Sequence, residues 1–223
     1  MAKRPIFLVS EKSAIFFEEK EIDFKFYNGF SITQKAKSII SLHESANKQG
    51  INNILEVSTK SNNKIGWNLS AFNLMINFGD TQISLECAFQ GSKIFDGNIQ
   101  YKDIYYKTSI EAKKDTRLKN SGNIIGFEFN GIFWANEPKT AFYDWMYINA
   151  LYETNSKIID ELVTYEAFSD IEFNPKKSIN CQARTCAILV SLLKQNKIQE
   201  ALSTKDKFIE IVYPKNFIQK EFF

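Results

Sequence analysis

Apolar positions recur along this chain with two periods, near two and near 3.6 residues, and their interleaving predicts a mixture of short strands and helices. Pro5-Ile6-Phe7-Leu8-Val9 and Ile22 to Tyr27 alternate as strands, the second with Ile22, Phe24 and Phe26 on one face. Asn28-Gly29 marks a turn. Ser31 stands as the cap of a helix over Ile32–Lys48 that Gly50 closes. Ile54–Ser58 reads as a short strand, Thr59–Lys64 as a polar loop, and Met75–Phe78 as a hairpin arm turning at Gly79-Asp80. Ile83–Phe95 is predicted to be a helix capped by Ser84, followed by a mixed helical region from Tyr101 to Gly122.

Ile124–Gly131 has the pattern of a strand and turn. Pro138 opens a helix whose apolar stripe is Ala141, Phe142, Trp145, Ile148 and Leu151. A helix over Ser156–Val163 follows. Phe168–Phe173 alternates as a strand with Asp170 and Glu172 on one face, and Asn174-Pro175 breaks it. Ser178 then opens a helix over Ile179–Gln195 that is apolar nearly all round in its second half. The tail, Ile198–Phe223, predicts a short helix, an edge strand at Phe208–Val212 and an aromatic end. No repeat, low-complexity stretch or linker interrupts the pattern, so a single domain over 1–223 is expected.

Composition narrows the chemistry. At 223 residues with 44% hydrophobic content, the chain can bury a full core, and twenty Phe make that core aromatic. A formal charge of +2 gives no global polyanion signal. The six cations from Lys102 to Lys119 outnumber Asp103, Glu111 and Asp115 by three, a local strip suited to a solvated face or to phosphates. Cys87, Cys181 and Cys186 lie in apolar patterns and read as reduced thiols of a cytoplasmic protein. With a single histidine there is no two-His metal site, and His43 shares a helical stripe with Ile32, Ala36 and Ile39, as a core residue would. No signal peptide or membrane span is read, and the pattern is silent on oligomeric state.

The Ile83–Phe95 stretch carries the sharpest chemical pattern. On a helix, Leu85, Ala88, Phe89 and Ser92 would face a core, whereas Glu86, Gln90 and Lys93 would project from one adjacent edge. That edge is either solvated or a site. The start of the last long helix, with Asn180, Gln182 and Arg184, is either ordinary capping or an anion seat.

Two segments together resemble the NADAR family. Leu69-Ser70-Ala71-Phe72-Asn73 followed by Ser84 to Phe95 is similar to its F-S-N-F and S-E-x-x-F-Q-x-x-K-F blocks, and Asp170 with Asn180 to its acidic loop and N-R-x-G segment. The Trp-Gly-x-Gly loop of many members is absent. Gln34-Lys35, Glu111 to Asp115, Glu137 to Trp145 and Phe173 to Arg184 extend the likeness to the subgroup found as antitoxin beside DarT-type DNA ADP-ribosyltransferases. The resemblance implies a compact, mainly helical α+β domain with a small β-sheet, without metal or other cofactor. It implies a hydrolase of N-glycosidic bonds that removes ADP-ribose from guanine in DNA, single-stranded where it acts, with a DarT-type toxin encoded nearby as partner. The other readings are an N-glycosidase of a ribosylated pyrimidine metabolite and a non-catalytic protein that binds ADP-ribose or a toxin. In the enzymatic readings Glu86 is the catalytic carboxylate, and Lys93 and Lys35 compete for the amine role. Phe72, Asn73, Gln90, Asp170, Asn180 and Arg184 would bind substrate.

Overall fold

The computed structural model describes residues 1–29, 31–154 and 156–214. Strands β1 (Ala2–Leu8) and β2 (Glu18–Phe24) pair antiparallel and are followed by α1 (Ile32–Asn47), whose Ser31 hydroxyl accepts from Gln34 N as the cap. β3 (Ile54–Glu56) and the short α2 (Lys64–Asn68) lead to the hairpin of β4 (Met75–Phe78) and β5 (Thr81–Ser84). Next come α3 (Leu85–Gly91), β6 (Lys93–Phe95), β7 (Ile99–Gln100), α4 (Ser109–Lys114) and α5 (Arg117–Asn120). The hairpin of β8 (Ile124–Phe129) and β9 (Ile132–Ala135) precedes α6 (Ala141–Thr154) and α7 (Ser156–Leu162). The chain continues through β10 (Ala167–Ser169), α8 (Gln182–Lys194), α9 (Ile198–Leu202) and α10 (Lys205–Val212).

Where one small sheet is expected, the described residues form three. They are β2-β1-β10-β3, the β4-β5 pair and β7-β6-β8-β9, so strands carry more of the fold than a mainly helical domain implies. In the first sheet β10 runs antiparallel to β1 and parallel to β3. Side-chain alternation splits it between two cores. Ile6, Ile22 and Phe24 pack on Ile39, Leu42 and Ala46 of α1. Phe7, Leu55 and Phe168 face the larger core, which holds α6 and α8. Burial of Ala183 and of every residue from Thr185 to Ser191 puts α8 at the centre, as its all-round apolar pattern requires.

Four elements depart from the periodic reading. The Ile83–Phe95 helix stops at Gly91: Ser92 turns its hydroxyl back onto Ala88 O (2.7 Å) and accepts Glu128 N, so Lys93–Phe95 joins the third sheet against β8. The last long helix begins at Gln182, not after Ser178. Residues 174–178 close one isolated turn, with Ser178 N bonded to Asn174 O, and Asp170–Phe173 is likewise a turn and not a strand. Phe208–Val212 belongs to α10 and not to an edge strand, because Thr204 caps Lys207 N (3.1 Å) and helical spacing lets Phe208 enter the core. The aromatic end, residues 215–223, lies outside the described residues. No helix among the described residues is long and apolar enough to cross a membrane.

Close approach fixes one glycine. A Cβ on Gly66 in α2 would stand 1.9 Å from the carbonyl oxygen of Glu56, which is strand backbone and has nowhere to move. Gly66→Ala is therefore expected to lower the melting temperature by about 5–10 °C, the result of ~2–3 kcal/mol of overpacking. Gly50→Ala, where a positive φ of 80° is strained but no neighbour lies within 4 Å, should cost about half as much. Thermal unfolding followed by circular dichroism checks this, and equal shifts would remove the contact as the cause.

Candidate active site

Helix α3 is short and wholly buried, and its depth is what isolates Glu86. Ser84 accepts Cys87 N (3.2 Å), and Glu86 N is taken by Ala71 O (2.9 Å), which ties the helix start to the Phe72-Asn73 loop. Ser109, opening α4, lies 2.9 Å from Phe72 O and 2.8 Å from Ser84 Oγ and closes the same corner. The side chain of Gln182 spans from Ala71 N (2.8 Å) to Val57 O (2.7 Å), so the first turn of α8 holds the loop from behind. At the other end of α3, Gly91 lets the Tyr105 ring pack where a Cβ would sit 2.5 Å away.

Glu86 is 4% exposed. Its Oε1 accepts Gln90 Nε2 at 2.8 Å and lies 3.6 Å from the ammonium of Lys113, a side chain that is largely in solvent and spans the Phe72 ring at 5.7 Å. Gln90 gives its amide to Glu86, and its carbonyl oxygen is buried with no donor among the described residues. Lys93, although on β6 and not on the helix, keeps its place in this group. Its ammonium sits 4.9 Å over the Phe89 ring and within the field of Glu86. Burial brings it down to about 8, against the pull of Glu86 and helped by Lys113. Phe89 is packing, as expected, stacked on Phe127 and Phe142.

Tyr143 meets Phe89 edge-on at 5.2 Å, and burial holds its phenol well above the usual range, with Glu86 and Asp170 adding to the effect. Asp170 is 7% exposed, and its Oδ1 accepts Glu172 N (2.9 Å) and Phe173 N (3.2 Å). Asn180 precedes α8 and has a buried side-chain oxygen without a donor among the described residues. Lys35 joins the Asp170 loop, its ammonium 2.7 Å from Glu172.

The remaining candidates have structural partners. Asn73 donates to Trp67 O (2.8 Å), which shapes the loop. Arg184 turns away from the helix start: its guanidinium lies 2.7 Å from the fully buried Asp144, which also accepts Thr185 and Tyr213 hydroxyls. Part of the basic strip is paired. Arg117 reaches Asp103 and Asp115 at 2.7 Å each and Lys107 is 2.7 Å from Asp115, carboxylates of the strip itself. Lys102 is 2.7 Å from Glu128 of β8 and Lys113 is 3.6 Å from Glu86, two carboxylates outside the strip, so its surplus of three positives overstated the free positive surface.

Sequence reasoning missed Tyr143 and Glu56. Tyr143 lay beside the apolar stripe of α6, where a polar tip was the only signal. Glu56 stood inside the strand expected over Ile54–Ser58, with no further signal attached to it. It is 4% exposed, and it holds both neighbours of Asp170: Oε2 accepts the Ser169 hydroxyl (2.5 Å) and Oε1 accepts Ile171 N (2.8 Å) and Ser58 (2.7 Å). Ser169 in turn meets His43 Nε2 at 2.8 Å, which satisfies the lone histidine as expected of a core residue.

Burial, with Asp170 pushing the same way, raises Glu56 from 4.5 to about 8. A raised carboxyl binds its proton more tightly when folded, so this contribution to stability is present below pH 4.5 and is lost as pH rises toward 8. His43, held down to about 4 by burial, is still half protonated in the unfolded chain at pH 6.5, but the slope this leaves is common to parent and variant, so pH 6.5–8 serves for comparing them. Asp170, raised to about 7, adds a slope of the same sign. Between those limits the melting temperature should fall more steeply for the parent than for Glu56→Gln, whose amide does not titrate. Parallel curves would mean that Glu56 is ionised throughout.

The model of the DarT1-associated NADAR antitoxin family matches residues 2–222. No curated protein matches the chain. A match over nearly its whole length settles the relationship, and the chain belongs to the DarT1-associated NADAR antitoxin family.

Proposed function

We propose that this protein is a DNA ADP-ribosyl glycohydrolase that removes ADP-ribose from guanine and so acts as antitoxin to a DarT-type toxin. The observation that carries the reading is the buried Glu86 with an amine and an open amide oxygen around it, in a chain of this family. Cleavage breaks the bond between the ribose anomeric carbon and a guanine nitrogen and develops positive charge on the sugar. Glu86 stabilises that charge and takes a proton from the water whose oxygen bonds to the anomeric carbon. The departing base takes a proton from Lys93; alternatively the neutral amine bonds to the anomeric carbon as its bond to the base breaks, the proton the amine sheds goes to that base, and water then displaces the lysine from the sugar. The free oxygens of Gln90 and Asn180 suit donors such as ribose hydroxyls. Phe72, under Lys113, is a flat surface for the base.

A second reading, an N-glycosidase acting on a phosphorylated ribosyl pyrimidine, draws support from the pairing within part of the basic strip. Equal amounts of guanine-ADP-ribosylated DNA, thymine-ADP-ribosylated DNA and the small pyrimidine separate the two. Fastest release from the guanine adduct is expected, and preference for the small substrate would move the protein to the metabolic class. Turnover of none would leave a binding role.

Glu86→Gln should fold and bind but lose about 10²–10⁴-fold in kcat, the usual span of acid–base catalysis. Near-parent turnover would remove Glu86 from the reaction. The pH profile separates the two roles of Lys93. Activity falling as pH rises through about 8 marks the protonated amine as acid, and activity rising there marks the free amine as nucleophile.

A further inference from the structure

Apart from the Glu86 group, the surface holds a depression of about 270 Å³ lined by Phe78, Lys102, Tyr105, Tyr106, Glu128 and Asn130. Three of the six lining residues are aromatic, and they make a corner. The Phe78 ring lies 4.7 Å from Tyr105 and meets Tyr106 at 71° with centroids 6.3 Å apart. The floor is rigid: the Tyr105 hydroxyl donates to Glu128 O (3.1 Å), its ring is wedged on Gly91, and Phe78 stacks on Phe129. The wall is exposed. Tyr106 is 79% accessible, and a large ring so placed adds little to the fold. The volume is below that of a drug-sized pocket and fits one ring system better than a whole nucleotide. Lys102 and Glu128 set a donor and an acceptor beside it.

Position gives the depression its meaning. The stretch from Tyr105 to Ser109 runs antiparallel to α3, with Tyr105 against Gly91 at one end and Ser109 against Ser84 at the other. α4 then carries Lys113 to Glu86. Ile110, Lys113 and Lys114, at i, i+3 and i+4, are exposed on α4. Tyr106 stands three residues before α4 begins, so the aromatic corner and the lysine that reaches Glu86 belong to one short stretch of chain.

The geometry points to a nucleobase subsite at Phe78, Tyr105 and Tyr106, which stacks an unmodified base of the single strand that flanks the modified guanine. This rests on the nucleic-acid reading of the substrate given above. The subsite positions the strand and takes no part in the bond broken at Glu86. Base–aromatic stacking tolerates any sequence, so it suits an enzyme that follows a modification and not a site.

The test uses the full chain with an unmodified single-stranded oligonucleotide, read by fluorescence anisotropy, beside turnover of a guanine-ADP-ribosylated oligonucleotide and of ADP-ribosylated guanosine alone. Tyr106→Ala should weaken oligonucleotide binding about tenfold, in the range one stacked base supplies. It should lower kcat/KM on the oligonucleotide through KM and leave the nucleoside unchanged, and Tyr106→Phe should restore both. The exposure of Tyr106 keeps the fold out of the result. Unchanged binding by Tyr106→Ala, or a parent that binds no strand, overturns the subsite. So does strand binding kept while association with a DarT-type protein is lost, which would make the corner a protein-docking surface. Failure of every substrate with strand binding intact sinks the catalytic reading and leaves the subsite standing.

Discussion

One buried carboxyl group holds the central sheet to the loop that carries Asp170. Glu56 ends β3 beside Ser169, its partner in the parallel pairing with β10, and its two oxygens take the Ser169 hydroxyl and the Ile171 amide. Asp170 is thereby fixed from both sides without being touched by the clamp's own hydrogen bonds. A buried carboxyl with unmet bonds is costly, and here each oxygen has at least one donor. Burial, with Asp170 adding to it, raises the Glu56 carboxyl, and its three donors, Ile171 N, the Ser169 hydroxyl and the Ser58 hydroxyl, work against that rise. Gly66 belongs to the same arrangement, since α2 lies directly on the Glu56 carbonyl.

The other side of the candidate site depends on dryness. Phe127 stacks on Phe142 at 4.6 Å and on Phe89 at 5.6 Å, while Trp134 backs Phe142. This wall strips water from Lys93 and is the largest cause of its lowered affinity for a proton. Lys113 reaches the same carboxylate from solvent, so Glu86 sees one amine shaped by burial and one that is hydrated. The two lysines are chemically unequal for that reason. Farther back, Asp144 gathers Arg184, Thr185 and Tyr213, joining α6, α8 and the end of α10 around one fully buried charge. Breaking such a pair on one side would strand the other charge, so Arg184 is committed to the fold.

Local signals were sufficient wherever the physics is local. Ser31, Ser84 and the Gly79-Asp80 turn act through neighbouring backbone, and each is found where the residue pattern puts it. The burial of α8 followed from its apolar circumference, and the family blocks around Glu86 were legible as residues in order. What the pattern misjudged were ends and partners. Ser92 and Ser178 could each have continued or stopped a helix, and the deciding bonds, to Glu128 N at the first and around Asn174 at the second, belong to other segments or to a turn. Phe208–Val212 is rich in β-branched and aromatic residues, as a strand would be, yet with Thr204 as its cap it lies in a helix.

The sequence by itself determined the element types over most of the chain, the aromatic core and a group of residues around Glu86 that share the family's order. Those depend on periodicity, capping and composition, which act within a turn or two. Only the tertiary structure decided which charges are spent and which remain. It joined Arg184 to a residue forty positions away and Glu56 to the Asp170 loop more than a hundred away. It also set Tyr143 edge-on to Phe89 in the core. Burial and ion pairing are properties of what lies across the fold, and no spacing along the chain records them.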